Sequence, residues 1–226
     1  MTRTQNEARY AAVGPDVLAE YGDDLLFNLD LTGQPDRWDD DDRVAVDRVA
    51  AEGAEAVWRV WAYPVATRHH LVLGADSGIT ADGGVDVPVA LAYSALLWTA
   101  CPVPEIRVAA LYDQYDDETG PTFSPDHAQL DPQERAPVLA YLRAGAPLLT
   151  TTSVIPDVVD PAAGELAMHF RTDGTWIWSD AATLYLDRYG LAPDAGLLAH
   201  IRDRRGRVPD LGVVALHRAL AALQAP

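Results

Sequence analysis

The chain has 226 residues, and its 34 acidic and 17 basic side chains give a formal net charge of −17 at pH 7. Every basic residue is an arginine, so the sequence excludes chemistry that needs a lysine Schiff base or a P-loop lysine. The negative charge repels phosphate groups and argues against nucleic-acid binding. It is typical of a protein that attracts a basic protein surface, or of one whose acidity maintains solubility.

The first part of the chain alternates acidic and apolar segments. A loop is predicted from Thr32 to Asp42, because it holds Gly33, Pro35 and four adjacent aspartates whose repulsion favours contact with water. A helix is predicted over Arg43–Glu52. The apolar residues on both faces of Ala56–Tyr63 predict an interior strand.

The middle of the chain contains a second acidic segment. Val87–Cys101 is nearly all apolar with helical spacing, which predicts a buried helix, and Ile106–Tyr112 predicts a strand. An acidic loop is predicted over Asp113–Asp126. The helix predicted over Pro132–Ala144 begins with proline, which the first helical position tolerates.

The clearest local pattern lies between Glu165 and Gly190. Apolar and polar residues alternate over Leu166–Arg171, which predicts a half-buried strand, and Asp173-Gly174 predicts a tight turn. The return strand is Thr175–Trp178. Ser179 then caps a helix that the final glycine of the segment ends.

The phrase RTDGTWIWSDAATLYLDRYGLAP, followed by LLAHIR, resembles a group of uncharacterised proteins common in actinobacteria. The resemblance covers roughly Arg143 to Pro209. It implies no activity and no catalytic residues. Some proteins with such C-terminal modules look like neighbours of secreted toxins.

These elements predict an α+β fold with a mixed or antiparallel sheet and a helical C-terminal segment, near 194–204 and 211–223. No repeat or linker interrupts residues 1–226, so a single domain is predicted. A charge shift near residue 130 marks a possible subdivision. Residues 1–130 carry 23 acidic and 8 arginine side chains, whereas residues 131–226 carry 11 and 9.

His169, Arg171 and Asp173 are the candidate catalytic residues. They alternate, so a strand that runs to the turn places all three on one side of the hairpin. An imidazole and a guanidinium beside a carboxylate can bind an anion or move a proton. The same alternation also fits a solvated polar face opposite Met168 and Phe170.

Metal and thiol chemistry have weaker signals, and no metal or cofactor is predicted. His69 and His70 are adjacent, so a strand directs them to opposite faces. The loop from Asp76 to Asp86 has carboxylates suited to Ca²⁺, but it lacks EF-hand spacing and also fits a plain acidic loop. Cys101 is the single cysteine and lies in an apolar run, where a thiol is usually inert.

The leading functional interpretation is an acidic protein-binding domain that engages a basic partner, such as an immunity-type inhibitor of a toxin. The predicted partner-binding residues are the carboxylates of the two acidic segments: Asp39, Asp40, Asp41, Asp42, Asp116, Asp117 and Glu118. The alternative is a small-molecule or anion-binding enzyme that uses the His169, Arg171 and Asp173 face. The first interpretation requires exposed carboxylates on one face, and the second requires a concave pocket with converging polar groups.

The location of the protein is predicted from two absences in the sequence. The N-terminal MTRTQNEARY lacks the apolar core of a signal peptide, and no apolar run reaches about 18 residues. A cytoplasmic protein without a membrane span is therefore expected. The sequence leaves the partner and the oligomeric state open.

Overall fold

The computed structural model describes residues 9–21 and 28–224 and divides the chain into two compact units. The first unit comprises Met1–Val103 and Leu220–Pro226, and the second comprises Pro104–Ala219. The division follows Val103 rather than residue 130. The single-domain prediction concerns cooperative unfolding and stays a prediction. Both units combine helices with mixed or antiparallel sheets, which confirms the predicted α+β class.

The first unit is built on a six-stranded sheet with strand order β2-β6-β3-β4-β5, to which β1 adds beside β3. The β2–β6 pair is parallel and the other pairs are antiparallel. The described elements are β1 (Arg9–Ala11), α1 (Pro15–Tyr21), β2 (Leu29–Asp30), α2 (Asp40–Ala51), β3 (Ala56–Tyr63), β4 (Thr67–Leu73), β5 (Ile79–Ala81), α3 (Val87–Leu91) and β6 (Ala95–Thr99).

Helix α2 begins at Asp40, three residues earlier than the sequence predicts. The prediction that the preceding loop runs to Asp42 is therefore wrong for its last three residues. Asp39 is the N-cap residue, and its carboxylate accepts a hydrogen bond from the Asp42 amide at 3.0 Å. Carboxylates in the first turn interact favourably with the helix dipole, which offsets their mutual repulsion. The helix buries Val46 and Val49 in a cluster with Val57 of β3.

The prediction of a buried helix over Val87–Cys101 is wrong beyond its first turns. Helix α3 ends at Leu91, and Ala95–Thr99 forms β6 between β2 and β3. Leu96 and Leu97 are both fully buried, although neighbouring side chains of a strand point to opposite faces. A strand buried on both faces shows no alternation, so its sequence looks like that of a buried helix.

The second unit contains a four-stranded sheet with order β10-β13-β14-β7, and two hairpins, β8–β9 and β11–β12. Its elements are β7 (Arg107–Val108), β8 (Gln114–Asp116), β9 (Gly120–Thr122), α4 (Pro132–Ala144), β10 (Ala146–Leu149), β11 (Val154–Pro156), β12 (Glu165–Ala167), β13 (Phe170–Thr172), β14 (Trp176–Ser179), α5 (Asp180–Tyr189) and α6 (Ala195–Asp203). The last helix, α7 (Val213–Gln224), begins in the second unit, and its residues from Leu220 onward belong to the first. The helical C-terminal segment is therefore confirmed. The strand predicted over Ile106–Tyr112 is reduced to the two residues of β7.

The turn, return strand and helix predicted around Asp173-Gly174 are confirmed, with β14 as the return strand and α5 as the helix. The single strand predicted over Leu166–Arg171 is wrong, because β12 ends at Ala167 and pairs with β11, and β13 begins at Phe170 and pairs with β14. The core of this unit lies where Trp178 of β14 packs with Tyr141 and Leu142 of α4 and with Leu186 of α5. Burying a large apolar side chain fully contributes about 1.5–3 kcal/mol, so these residues anchor the hairpin to the helices. Within the described ranges, no helix is long and apolar enough to cross a membrane.

Candidate functional site

The β13–β14 hairpin holds the three candidate catalytic residues, but their side chains do not converge. Strand β13 runs only from Phe170 to Thr172, so Arg171 alone of the three lies in the strand, while His169 precedes it and Asp173 follows it in the turn. Asp173 is only 1% exposed. The prediction of one polar face containing all three residues is therefore wrong.

Arg171 links strand β13 to helix α5 and to the end of helix α4. Its Nε donates to Asp180 Oδ1 at 2.7 Å, and its Nη1 donates to the Gly145 carbonyl at 3.0 Å. His169 Nδ1 accepts a hydrogen bond from the Thr151 amide at 3.3 Å. Because Asp180 balances the guanidinium charge, Arg171 has little capacity left for an anionic ligand.

Asp173 is the acceptor of a buried hydrogen-bond cluster. Its Oδ1 accepts from the amides of Thr175 at 2.9 Å and Trp176 at 2.8 Å. Its Oδ2 accepts from the Tyr141 hydroxyl, and His200 Nε2 lies 2.6 Å away. Burial raises the pKa of Asp173, but the hydrogen bonds from Tyr141 and the amides outweigh burial and hold the pKa below its ordinary 3.8.

Through Tyr141 and His200, the cluster connects helix α4 and helix α6 to the hairpin turn that holds Asp173. With Asp173 ionised, His200 donates from Nε2, and the carboxylate fixes the orientation of the imidazole. Sequence reasoning missed Tyr141 and His200 because they lie 32 and 27 residues from Asp173. The one sequence signal was that His200 lies in the phrase LLAHIR.

A second buried carboxylate, Asp42, lies in the first unit. It is fully buried and forms an ion pair with Arg59, and His70 Nε2 lies 3.1 Å from Asp42 Oδ1. Burial raises the pKa of Asp42. The hydrogen bond from His70 and the charge of Arg59 together lower it by more than burial raises it, so the pKa lies below 3.8. The prediction that all four aspartates contact water is wrong for Asp42, which cannot contact a partner.

The other three aspartates of this segment remain accessible. The side chains of Asp39, Asp40 and Asp41 are 46%, 100% and 83% exposed. Arg68 pairs with Asp39 at 2.6 Å and with Asp41 at 3.1 Å, whereas Arg43 pairs with Asp40 at 3.0 Å. These arginines partly neutralise the acidic surface of α2.

The β8–β9 hairpin carries the second predicted acidic segment. Asp116 Oδ1 accepts hydrogen bonds from the amides of Thr119 at 2.8 Å and Glu118 at 3.0 Å, and these bonds close the turn. The Thr119 amide and hydroxyl lower the pKa of Asp116. The side chains of Asp117 and Glu118 are exposed and form no ion pair with any described residue. Tyr115 beside them is 76% exposed.

The residues considered for metal binding have other partners. His69 Nδ1 contacts the Asp82 carbonyl at 2.9 Å, and Asp76 accepts from the Gly78 amide at 3.1 Å. Asp86 caps α3 through the Val89 amide. Within residues 9–21 and 28–224, no three His, Cys, Asp or Glu side chains are grouped so as to hold a metal ion.

Comparisons with known proteins provide no family for this chain. No protein-family model, no curated protein and no solved structure matches it. Functional conclusions therefore rest on the geometry and charge of its own residues.

Proposed function

We propose that this protein binds a basic protein through the β8–β9 hairpin, in the manner of an immunity-type inhibitor that engages a basic toxin. The observation that carries the proposal is an exposed aromatic ring at an acidic turn: Tyr115 is 76% exposed beside Asp116, Asp117 and Glu118. Tyrosine is enriched among residues that dominate binding energy, because its rigid ring covers a large area with little entropy loss. The carboxylates around it complement arginine and lysine side chains.

The charge of the whole chain supports a basic partner. A net charge of −17 attracts a cationic protein over distances up to a Debye length, about 8–10 Å at physiological salt, and accelerates association. Asp40 and Asp41 of the first unit add to this field, although Arg43 and Arg68 partly offset them. The resemblance to modules near secreted toxins points to the same class of partner.

The test uses a basic protein encoded next to this one in its native genome, purified separately and immobilised for kinetic binding measurements. Tyr115→Ala should weaken binding about 30-fold, mainly through faster dissociation, since truncating a central aromatic residue costs about 2 kcal/mol. The double change Asp117→Asn with Glu118→Gln should slow association and reduce its dependence on salt.

The matched control removes the same charge elsewhere in the second unit. Glu105→Gln with Asp126→Asn also neutralises two exposed carboxylates but leaves the hairpin intact. This control should slow association less than the hairpin variant does. If Tyr115→Ala binds with wild-type affinity and both double variants behave alike, the hairpin is not the docking surface and the proposal fails.

A further inference from the structure

The first unit contains an open cleft of about 290 Å³ between helix α2 and strands β4 and β5. Val49 and Val72 form its apolar floor and are buried or half-buried. The exposed residues of its rim are polar: Arg48, Glu52, Thr80 and Asp82. His70 also lines the cleft and is half-buried. The cleft is therefore lined mainly by polar side chains, and a ligand that fits it must itself carry polar or charged groups.

The fold places the charged groups of the cleft on two opposing walls. Arg48 lies on α2, and Glu52 is the C-cap residue of that helix four positions later with helical backbone angles, so the two lie on the same face. On the other wall, the β4–β5 register sets Val72 opposite Thr80, and the same register continues toward His70 and Asp82. The cleft therefore has one cationic and two anionic side chains around a neutral floor.

His70 has a fixed orientation in this cleft. Its Nε2 lies 3.1 Å from Asp42 Oδ1, and Asp42 is itself fully buried and paired with Arg59. An ionised carboxylate accepts hydrogen bonds, so Nε2 donates and the neutral imidazole has its lone pair on Nδ1. No described residue forms a hydrogen bond with His70 Nδ1. This nitrogen is an acceptor available to a ligand.

We propose that the cleft binds a small zwitterion of the amino-acid type, with its carboxylate against Arg48 and its ammonium group against Glu52 and Asp82. A purely cationic ligand meets repulsion from Arg48, and a purely anionic one meets repulsion from the two carboxylates. A zwitterion pairs with all three charges, its ammonium protons can reach His70 Nδ1, and its side chain covers the apolar floor. The site lies in the first unit and is independent of the proposed protein-docking hairpin.

The proposal is tested by calorimetric titration of the full chain with L-leucine and two derivatives that each lack one charge. L-leucinamide has no carboxylate, and N-acetyl-L-leucine has no ammonium group. L-leucine should bind, and each derivative should bind at least about tenfold more weakly, because each loses one charge-assisted contact. If leucine and leucinamide bind equally, or if L-leucine fails to bind at millimolar concentrations, the proposal is overturned.

Variants locate the binding to the cleft. Arg48→Ala should weaken leucine binding at least about tenfold and abolish the preference for leucine over leucinamide. Glu52→Gln should likewise reduce the preference for leucine over the acetylated derivative. The matched control is Arg43→Ala, which removes an exposed arginine of the same helix outside the cleft and should leave the affinity unchanged. Equal losses for Arg43→Ala and Arg48→Ala would show a nonspecific charge effect and overturn the assignment.

Discussion

Replacing Asp173 by alanine tests how much stability the buried hydrogen-bond cluster provides. The change leaves the Tyr141 hydroxyl, His200 Nε2 and the amides of Thr175 and Trp176 without their acceptor. Each buried donor left unpaired costs about 1–3 kcal/mol, and four donors lose their acceptor here. Since rearrangement and water relieve part of this cost, we expect a loss of about 3–5 kcal/mol, a large fraction of the stability of an ordinary domain.

The loss is measured by urea unfolding at neutral pH, with Trp176 and Trp178 of the same hairpin as fluorescent reporters. The control is Asp187→Ala, which removes an aspartate whose surface ion pair with Arg143 is about half exposed. Such a pair contributes about 0–1 kcal/mol, so the control should unfold near the wild-type midpoint. If Asp173→Ala costs less than about 1 kcal/mol, or no more than the control, the reasoning about the cluster is refuted.

The same carboxylate makes stability depend on pH. The pKa of Asp173 in the folded protein lies below 3.8, so its ionised form is stabilised by folding. Its contribution is present above the unfolded pKa and is lost as the pH falls through the folded pKa. The stability difference between wild type and Asp173→Asn should therefore stay constant from pH 7 to about pH 5 and shrink as the pH falls from about 5 toward 3, whereas a difference that stays constant down to pH 3 would contradict the assignment.

Three further predictions follow from the fold. Gly174→Val should lower the free energy of unfolding by about 1–3 kcal/mol, because Gly174 has φ of +84° and an added Cβ lies 2.8 Å from Leu211 Cδ2; an unchanged urea midpoint would contradict this. Asp42→Ala should cost about 3–5 kcal/mol by leaving Arg59 buried and unpaired, whereas the neighbouring Asp40→Ala should change stability by less than about 1 kcal/mol, and equal losses would refute the distinction. Calorimetry should show one unfolding transition if the chain is a single cooperative domain, since its sequence has no linker, and two separated transitions would exclude this.

Some features were predictable because their causes are local. The Ser179 hydroxyl accepts from the Ala181 amide at 3.1 Å and begins α5, and Gly190 ends that helix with φ of +76°. Asp131 caps α4 through the Gln133 and Glu134 amides in the same way. Each of these contacts joins residues at most a few positions apart, so the residue types themselves indicate the structure.

The function-related residues were less predictable, because residue type does not show which side chains are buried. Four adjacent aspartates look alike in the sequence, yet Asp40 is fully exposed while Asp42 is fully buried with Arg59 and His70. The difference arises because α2 directs only one side of its first turn toward the sheet, and the direction depends on where the helix begins.

The sequence by itself determined the charge, the α+β class and the hairpin and helix that follow residue 165, all of which depend on composition or on short-range backbone preferences. The tertiary structure decided which carboxylates are buried, and it brought Tyr141 and His200 to Asp173. It also decided that Ala95–Thr99 is a strand, because pairing with β2 and β3 satisfies its backbone inside the sheet. These outcomes depend on contacts between residues distant in the chain, and local propensity does not encode such contacts.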